Sequence, residues 1–442
     1  MPFYNPERCE FFKGCRVYRD IHHLSVTIGA RSIGSPGEKE AAEHIYHTFE
    51  TLGLEVWTQS FDVAGTALGD FTIEILEPPI GEIPCAPILS TPDTPANGVK
   101  GEILLVEGAE EPSLGPHVKN KIVLWFCSSK GEFDWPKLAQ YQPLAVIAIW
   151  PGLGLTPKHY QASPLMFHPY KPVTSFWITY EDGLRLLRVG AKKARVYLHS
   201  RSYASTSSNI IAELKGDAFP NEIVVVGGHY DSPPGISGAF DNASGIAMVM
   251  ELARVYSRCR PKRTLRFVAF AGEEGGLLGS QHYVKNFIQS KRSDISGGRS
   301  SSQAHEHLLC INLDGLGLAL GTNSCYVLGP REIGTAVKAA STQVGVLCNI
   351  KEAIDISDHL PFAWSDVPNI SFTQEGPGAE FMHTNEDTVE IIDVAKLEQA
   401  GKVIDAFLER IVLDSEAWPF AKRIAKEIRE KVNDTERRMK LV

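Results

Sequence analysis

The stretch that decides the fold is Glu222-Ile-Val-Val-Val-Gly-Gly-His-Tyr-Asp-Ser232, followed by Gly238-Ala-Phe-Asp-Asn-Ala-Ser-Gly245. Its first half is a continuous β-branched run, which predicts a strand buried on both faces. Gly227 and Gly228 end the run and deliver His229 to its carboxyl end. A helix is predicted from about Ala243, with Ile246, Val249, Met250, Ala253 and Tyr256 on one face. Two further strands follow, Thr264-Leu-Arg-Phe-Val-Ala-Phe270 and Leu308-Leu-Cys-Ile-Asn-Leu313. Buried strands alternating with helices argue for an α/β fold, a mostly parallel mixed sheet with helices on both faces. Folds of this kind gather their ligands at the carboxyl edge of the sheet.

The same architecture has an opening helix. Ser35 caps it, Pro36 fits its first turn and Glu38 stands where a capping box puts its acid. Ala41, Ile45, Phe49 and Leu52 recur at helical spacing, Gly53 stops the helix, and Leu54-Glu-Val-Trp57 reads as a strand. From about Pro78 the texture changes to clustered Pro and Gly, then short apolar strands: Gly101–Val106, Lys121–Trp125, Leu144–Ile149 and Ala194–Leu198, with a short helix over Glu181–Leu187. The organisation expected is therefore a first catalytic part over 1–63, a β-rich inserted domain over 64–204, a second catalytic part over 205–412, and a charged helix over 413–442. No metal or nucleophile constellation stands out in the insert. The last helix, with alternating signs of charge, reads as a surface element or a subunit contact, compatible with a homo-oligomer.

A chain of 442 residues suggests more than one unit. Its hydrophobic content of 43%, charged content of 22% and net charge of −9 are those of a soluble globular protein whose partners are not nucleic acids. No apolar run reaches the roughly 18 residues of a membrane helix. The start, Met1-Pro-Phe-Tyr-Asn-Pro-Glu-Arg-Cys9, lacks the basic and apolar regions of a signal peptide. The eight cysteines are scattered without a Cys-x-x-Cys. A cytoplasmic protein without a disulfide framework is expected.

Candidate chemistry is spread along the chain. His229 alone reads equally as a packed core histidine, and Asp241 as a helix cap. Asp231, two residues after His229, can accept its other imidazole N–H, as partners of metal-bound histidines do. Glu273 and Glu274 follow a buried strand among glycines; one can bind metal while the other holds a proton. Asp314 ends the strand Leu308–Leu313, and His383 lies in a polar loop after Asn369-Ile-Ser-Phe-Thr373. Ser357-Asp-His-Leu-Pro-Phe362 is expected to line the pocket. Jointly these groups sit at one sheet edge, in the number that two zinc ions sharing Asp241 and a water require.

Taken together, His229–Ser232, Gly238–Gly245, Glu273–Ser280, Asn312–Asp314 and His383–Thr388 resemble the zinc-dependent aminopeptidase family typified by aminopeptidase Y and the bacterial leucyl aminopeptidases, which also includes the glutamate carboxypeptidases. The insert is similar to the protease-associated domain of some members. The resemblance implies two zinc ions per chain held by His229, Asp241, Glu274, Asp314 and His383, with Asp241 bridging, Glu273 as general base and Asp231 orienting His229. It also implies a cis peptide between Asp241 and Asn242. Phe240, Gly275-Gly276 and Asn385 depart from the common pattern; the family often has an acid at the first and Pro at the last. None is an implied ligand.

The expected activity is removal of N-terminal residues from peptides, by a metal-activated water with Glu273 as base. Other readings on the same fold are a carboxypeptidase or dipeptidase, which needs a basic residue for the substrate carboxylate, a single-zinc glutaminyl cyclase, and a non-catalytic binding protein.

Overall fold

The fold is described from a computed structural model, covering residues 11–127, 133–152, 154, 156–162, 166–290 and 305–440. Cys9 and the rest of the first ten residues lie outside the described residues.

Among the described residues, fifteen strands form one hydrogen-bonded sheet. The first eight are β1 (Glu55–Glu77), β2 (Pro79–Ile83), β3 (Ala86–Leu89), β4 (Val99–Glu107), β5 (Ile122–Phe126), β6 (Ala145–Ile149), β7 (Tyr160–Gln161) and β8 (Ser175–Ile178). The other seven are β9 (Lys193–Leu214), β10 (Phe219–His229), β11 (Arg263–Phe270), β12 (Glu306–Leu313), β13 (Thr322–Leu328), β14 (Cys348–Lys351) and β15 (Asn369–Glu375). Their order is β14-β13-β15-β12-β10-β11-β9-β4-β5-β6-β8-β3-β7, with β1 paired to β9 and β2.

The centre of the catalytic half is parallel. β10 lies between β11 and β12, and β12 pairs with β15, all in the same direction. β9 and β13 border this block antiparallel to it. The continuous apolar run of β10 has the physical reason expected of it. Val224 and Val226 enter a core shared with the helices Gly14–His22, Pro36–Thr51, Ser244–Tyr256, Arg331–Val344 and Val394–Glu409. Ile223 and Val225 point into a second core with Tyr283, Val284 and Phe362 on the opposite face. Helices therefore cover both faces.

Residues 73–198 build two cores of their own. One gathers Val123, Trp125, Val146 and Trp177; the other Ile75, Ile122, Leu124, Ile147 and Val196. The chain passes between the halves along one long ribbon, in which β1 and β9 pair from Glu55↔Glu213 to Glu77↔Lys193. Val63 lies opposite Ser205 within it, and Ala64 opposite Ala204. The strand expected at Leu54–Trp57 is thus only the start of a 23-residue strand that begins at Glu55. The C-terminal helix Lys426–Lys440 places Val432 against Leu328 and Leu360, and Arg429 bonds Asp366 at 2.8 Å.

Candidate metal centre

The parallel block brings the candidate residues to one edge. Gly227 of β10 pairs with Asn312 of β12, so His229 and Asp314, each two residues on, end their strands level with one another. His229 also pairs with Phe270, just before Glu273 and Glu274. His383 follows β15. An added Cβ at Gly245 would come within 2.1 Å of the Leu313 carbonyl oxygen. The bare backbone there lets the helix Ser244–Tyr256 start directly against the end of β12.

Asp241 is not the cap of that helix. The residue that caps is Asn242, whose Oδ1 accepts from Gly245 N at 2.8 Å and from Gly315 N at 3.2 Å. Its Nδ2 donates to the Leu313 carbonyl at 2.9 Å. The peptide between Asp241 and Asn242 is cis, and both residues have non-helical backbone angles. Asn242 thereby satisfies the helix start and leaves the Asp241 carboxylate for other partners.

Those partners are two histidines. Asp241 Oδ1 lies 3.3 Å from His229 Nε2, and Oδ2 lies 3.1 Å from His383 Nε2. Asp314 Oδ1 stands 3.6 Å from His229 Nε2, and Glu274 Oε2 stands 3.6 Å from His383 Nε2. His229, Asp241 and Glu274 each offer a ligand atom within 4.8 Å of the others. The cluster therefore splits into a His229–Asp314 side and a His383–Glu274 side that share Asp241. The Glu273 carboxylate takes part in none of these pairs.

Neighbouring groups hold each ligand candidate in place. His229 Nδ1 lies 3.2 Å from the Asp231 carbonyl and 3.5 Å from its Oδ1, which leaves Nε2 for the cluster. The Asp231 carboxylate also accepts the backbone N–H groups of Glu273 and Glu274, at 3.1 and 3.2 Å, and so fixes the turn that carries both acids. The Ser357 hydroxyl donates to Asp314 Oδ2 at 2.6 Å, leaving Oδ1 for His229. His383 Nδ1 faces the His159 carbonyl at 3.0 Å. His359 is fully buried.

Two residues with a part in this geometry carried no such signal in the sequence. Asp387 is buried; its Oδ1 accepts from Phe240 N at 2.6 Å and its Oδ2 from Asp241 N at 3.1 Å. The fully buried Arg31 donates to the carbonyls of Leu24, Gly29, Tyr230, Ser237 and Gly238, and so clamps the loop between His229 and Asp241. Asp387 falls inside the His383–Thr388 motif, the one place where the sequence could have flagged it.

The residues fit a cation cluster. Glu274 Oε1 and Asp314 Oδ1 are buried acceptors with no hydrogen-bond donor among the described residues. Burial raises the Glu273 and Glu274 carboxyls well above the usual range, with the charge of the other acids adding to it. Burial works against a charged His229, yet Asp314, Asp231 and Asp241 hold its pKa well above the ordinary value. Burial likewise opposes ionisation of Asp241, but His229 and His383 hold its pKa low. So much buried negative charge calls for protons or metal ions, and metal binding displaces the protons.

Comparison with known proteins identifies the segment that carries the candidate ligands. Residues 209–408 match Peptidase family M28. The segment is an M28 peptidase domain. Over 447 aligned residues the chain is 28% identical to aminopeptidase YwaD of Bacillus subtilis (strain 168), covering 97% of this chain and 91% of the relative. It is 27% identical over 290 residues to carboxypeptidase Q of Mus musculus, and spans 61% of that relative's length. Among solved structures, BSAP, a zinc aminopeptidase from Bacillus subtilis, superposes with a TM-score of 0.73 at 26% identity, over 94% of this chain and 99% of its own. The fold also matches a Peptidase M28 precursor from Shewanella amazonensis SB2B, with a TM-score of 0.77 at 21% identity, over 93% of this chain and 95% of that one. In the M28 domain the five candidate ligands and both supporting acids, Asp231 and Asp387, lie within the matched residues.

Proposed function

We propose that this chain is a two-zinc aminopeptidase. The observation that carries the reading is the Asp241 carboxylate, whose two oxygens face two different imidazoles, at 3.3 and 3.1 Å. One zinc ion is assigned to His229, Asp314 and Asp241, the other to His383, Glu274 and Asp241. When bound, the metals supply Lewis-acid polarisation of the scissile carbonyl and lower the pKa of an attacking water. Glu273, outside the ligand pairs, takes the water's proton and hands it to the leaving amine. Asp231 holds the Glu273 backbone and the His229 ring together, so base and ligand keep a fixed relation.

Removal of N-terminal residues is favoured over C-terminal ones for three reasons. A carboxypeptidase needs a cation for the substrate's carboxylate, and two basic side chains packed around the site spend donors on backbone carbonyls. Arg31 bonds five of them, and Lys158 bonds the carbonyls of Glu380 and Met382. An acid-rich site also suits the ammonium of a free N-terminus. The similarity to aminopeptidase YwaD, over 91% of that protein, points the same way. A reducing, cytoplasmic setting is proposed for the chain, in keeping with eight cysteines scattered along the sequence without a Cys-x-x-Cys.

The test is hydrolysis of a panel of peptides with free and acetylated N-termini by the zinc-loaded protein. Release of the first residue from the free peptides, with the acetylated ones intact, is expected. Cleavage confined to the acetylated peptides, or from the C-terminus, would remove the aminopeptidase reading.

A further inference from the structure

The insert reaches into the metal centre through one short segment. β7 is anchored in the insert's sheet, where Tyr160 pairs with Ile88 and Gln161 with Leu89. The residues just before it cross to the His383 loop. His159 N donates to the His383 carbonyl at 2.7 Å, and the His159 carbonyl faces His383 Nδ1 at 3.0 Å. This reciprocal pair grips both the backbone and the ring of one residue.

Six further contacts lie around it. The Tyr160 ring packs on the His383 ring, centroids 4.4 Å apart. The Lys158 ammonium donates to the carbonyls of Glu380 and Met382 and lies 5.1 Å from the centre of the Trp150 ring. The Thr156 hydroxyl donates to Glu386 Oε2 at 2.6 Å and accepts from Asn385 N at 3.3 Å. Asn385 is the position where Pro, which has no N–H, is frequent in the family that the motifs resemble. His383 itself has a φ of +64°, a region that non-glycine residues occupy only when their surroundings hold them there.

The chemistry of the imidazole gives these contacts a consequence. A carbonyl can only accept, so the His159 oxygen fixes the proton on His383 Nδ1 and leaves the Nε2 lone pair for the metal. The acceptor and the ring that packs on His383 both come from the insert, outside the residues that match the M28 family.

We propose that residues 156–160 are a strap by which the insert positions His383 and so sets the affinity of the metal site on the His383–Glu274 side. This rests on the two-zinc reading above. Thr156, Lys158, His159 and Tyr160 are positioning residues in this proposal; none is a ligand.

The test is competition of the zinc-loaded full chain against a chelator of known affinity, with zinc counted per chain. Tyr160→Ala and Lys158→Met should each weaken one of the two zinc ions by about 10- to 100-fold, the usual effect of removing a ligand's supporting partner. The other ion should be held as in wild type, which also reports that the fold is intact. Tyr160→Phe keeps the ring on His383 and should keep both ions. Two ions held with wild-type affinity in Tyr160→Ala and Lys158→Met, or both weakened alike, would overturn the strap while leaving the two-zinc reading standing. A single zinc in the wild-type chain would remove that reading, and the strap with it.

Discussion

Asp387 holds the backbone of Asp241. Its Oδ2 accepts the Asp241 N–H at 3.1 Å, while Oδ1 accepts that of Phe240 at 2.6 Å. The proposed bridging carboxylate is therefore seated by an acid from the His383 loop, the same loop that supplies the ligand on its far side. Asp387→Asn keeps one acceptor and turns an NH2 group toward the other N–H. That leaves a buried donor unpaired, which costs about 1–3 kcal/mol. Urea unfolding should show a loss of that size, and chelator competition a zinc affinity lower by about 10-fold or more. Unchanged stability and affinity would mean that Asp387 is not what seats Asp241.

Glu273 is the acid outside the ligand pairs. Glu273→Gln should bind as much zinc as wild type and lose at least about 100-fold in kcat, the usual scale of general-base catalysis. Turnover retained with full metal content would reassign the base. Loss of one zinc would instead make Glu273 a ligand.

Glu38 gives the fold a pH dependence of its own. Its Oε2 accepts from Gly34 N at 2.6 Å and its Oε1 from the Ser207 hydroxyl. Burial pushes its carboxyl from the usual 4.5 up to about 8. The folded state therefore keeps this proton where the unfolded chain has lost it. The contribution is complete below about pH 4.5, falls as pH rises, and is lost once pH passes about 8. Glu38→Gln cannot ionise; its amide oxygen can accept from Gly34 N while its NH2 donates to the Ser207 hydroxyl, which reverses the direction of that contact. Melts of both metal-free proteins across this range should show the wild type losing stability relative to Glu38→Gln as pH rises. Parallel curves would mean that Glu38 is not buried in its neutral form.

How much of this was legible in the sequence depended on the range of the interaction. The β10 run and the helix after it were readable because both patterns are local and both are buried. The capping box at Ser35 was readable too, although Glu38 turned out to reach Gly34 N rather than its own cap. The length of β1 was not readable. Residues such as Thr66–Asp70 are mostly exposed and have no alternation, and only pairing with β9 makes them a strand. Asp241 was ambiguous between cap and ligand until Asn242 was seen to take the capping role. Arg31 had no motif at all, since its meaning lies in five carbonyls from distant segments. The insert read as devoid of metal or nucleophile groups; residues 156–160 reach the His383 loop through the backbone of His159 and the side chains of Thr156, Lys158 and Tyr160, which form no ligand motif along the sequence.

The central claim is that Asp241 joins two zinc ions, one with His229 and Asp314 and one with His383 and Glu274. The most direct measurement is zinc per chain after exhaustive dialysis, on wild type and on His383→Ala. Two ions in wild type and one in His383→Ala are predicted. One ion in wild type, with His383→Ala unchanged, would contradict the account.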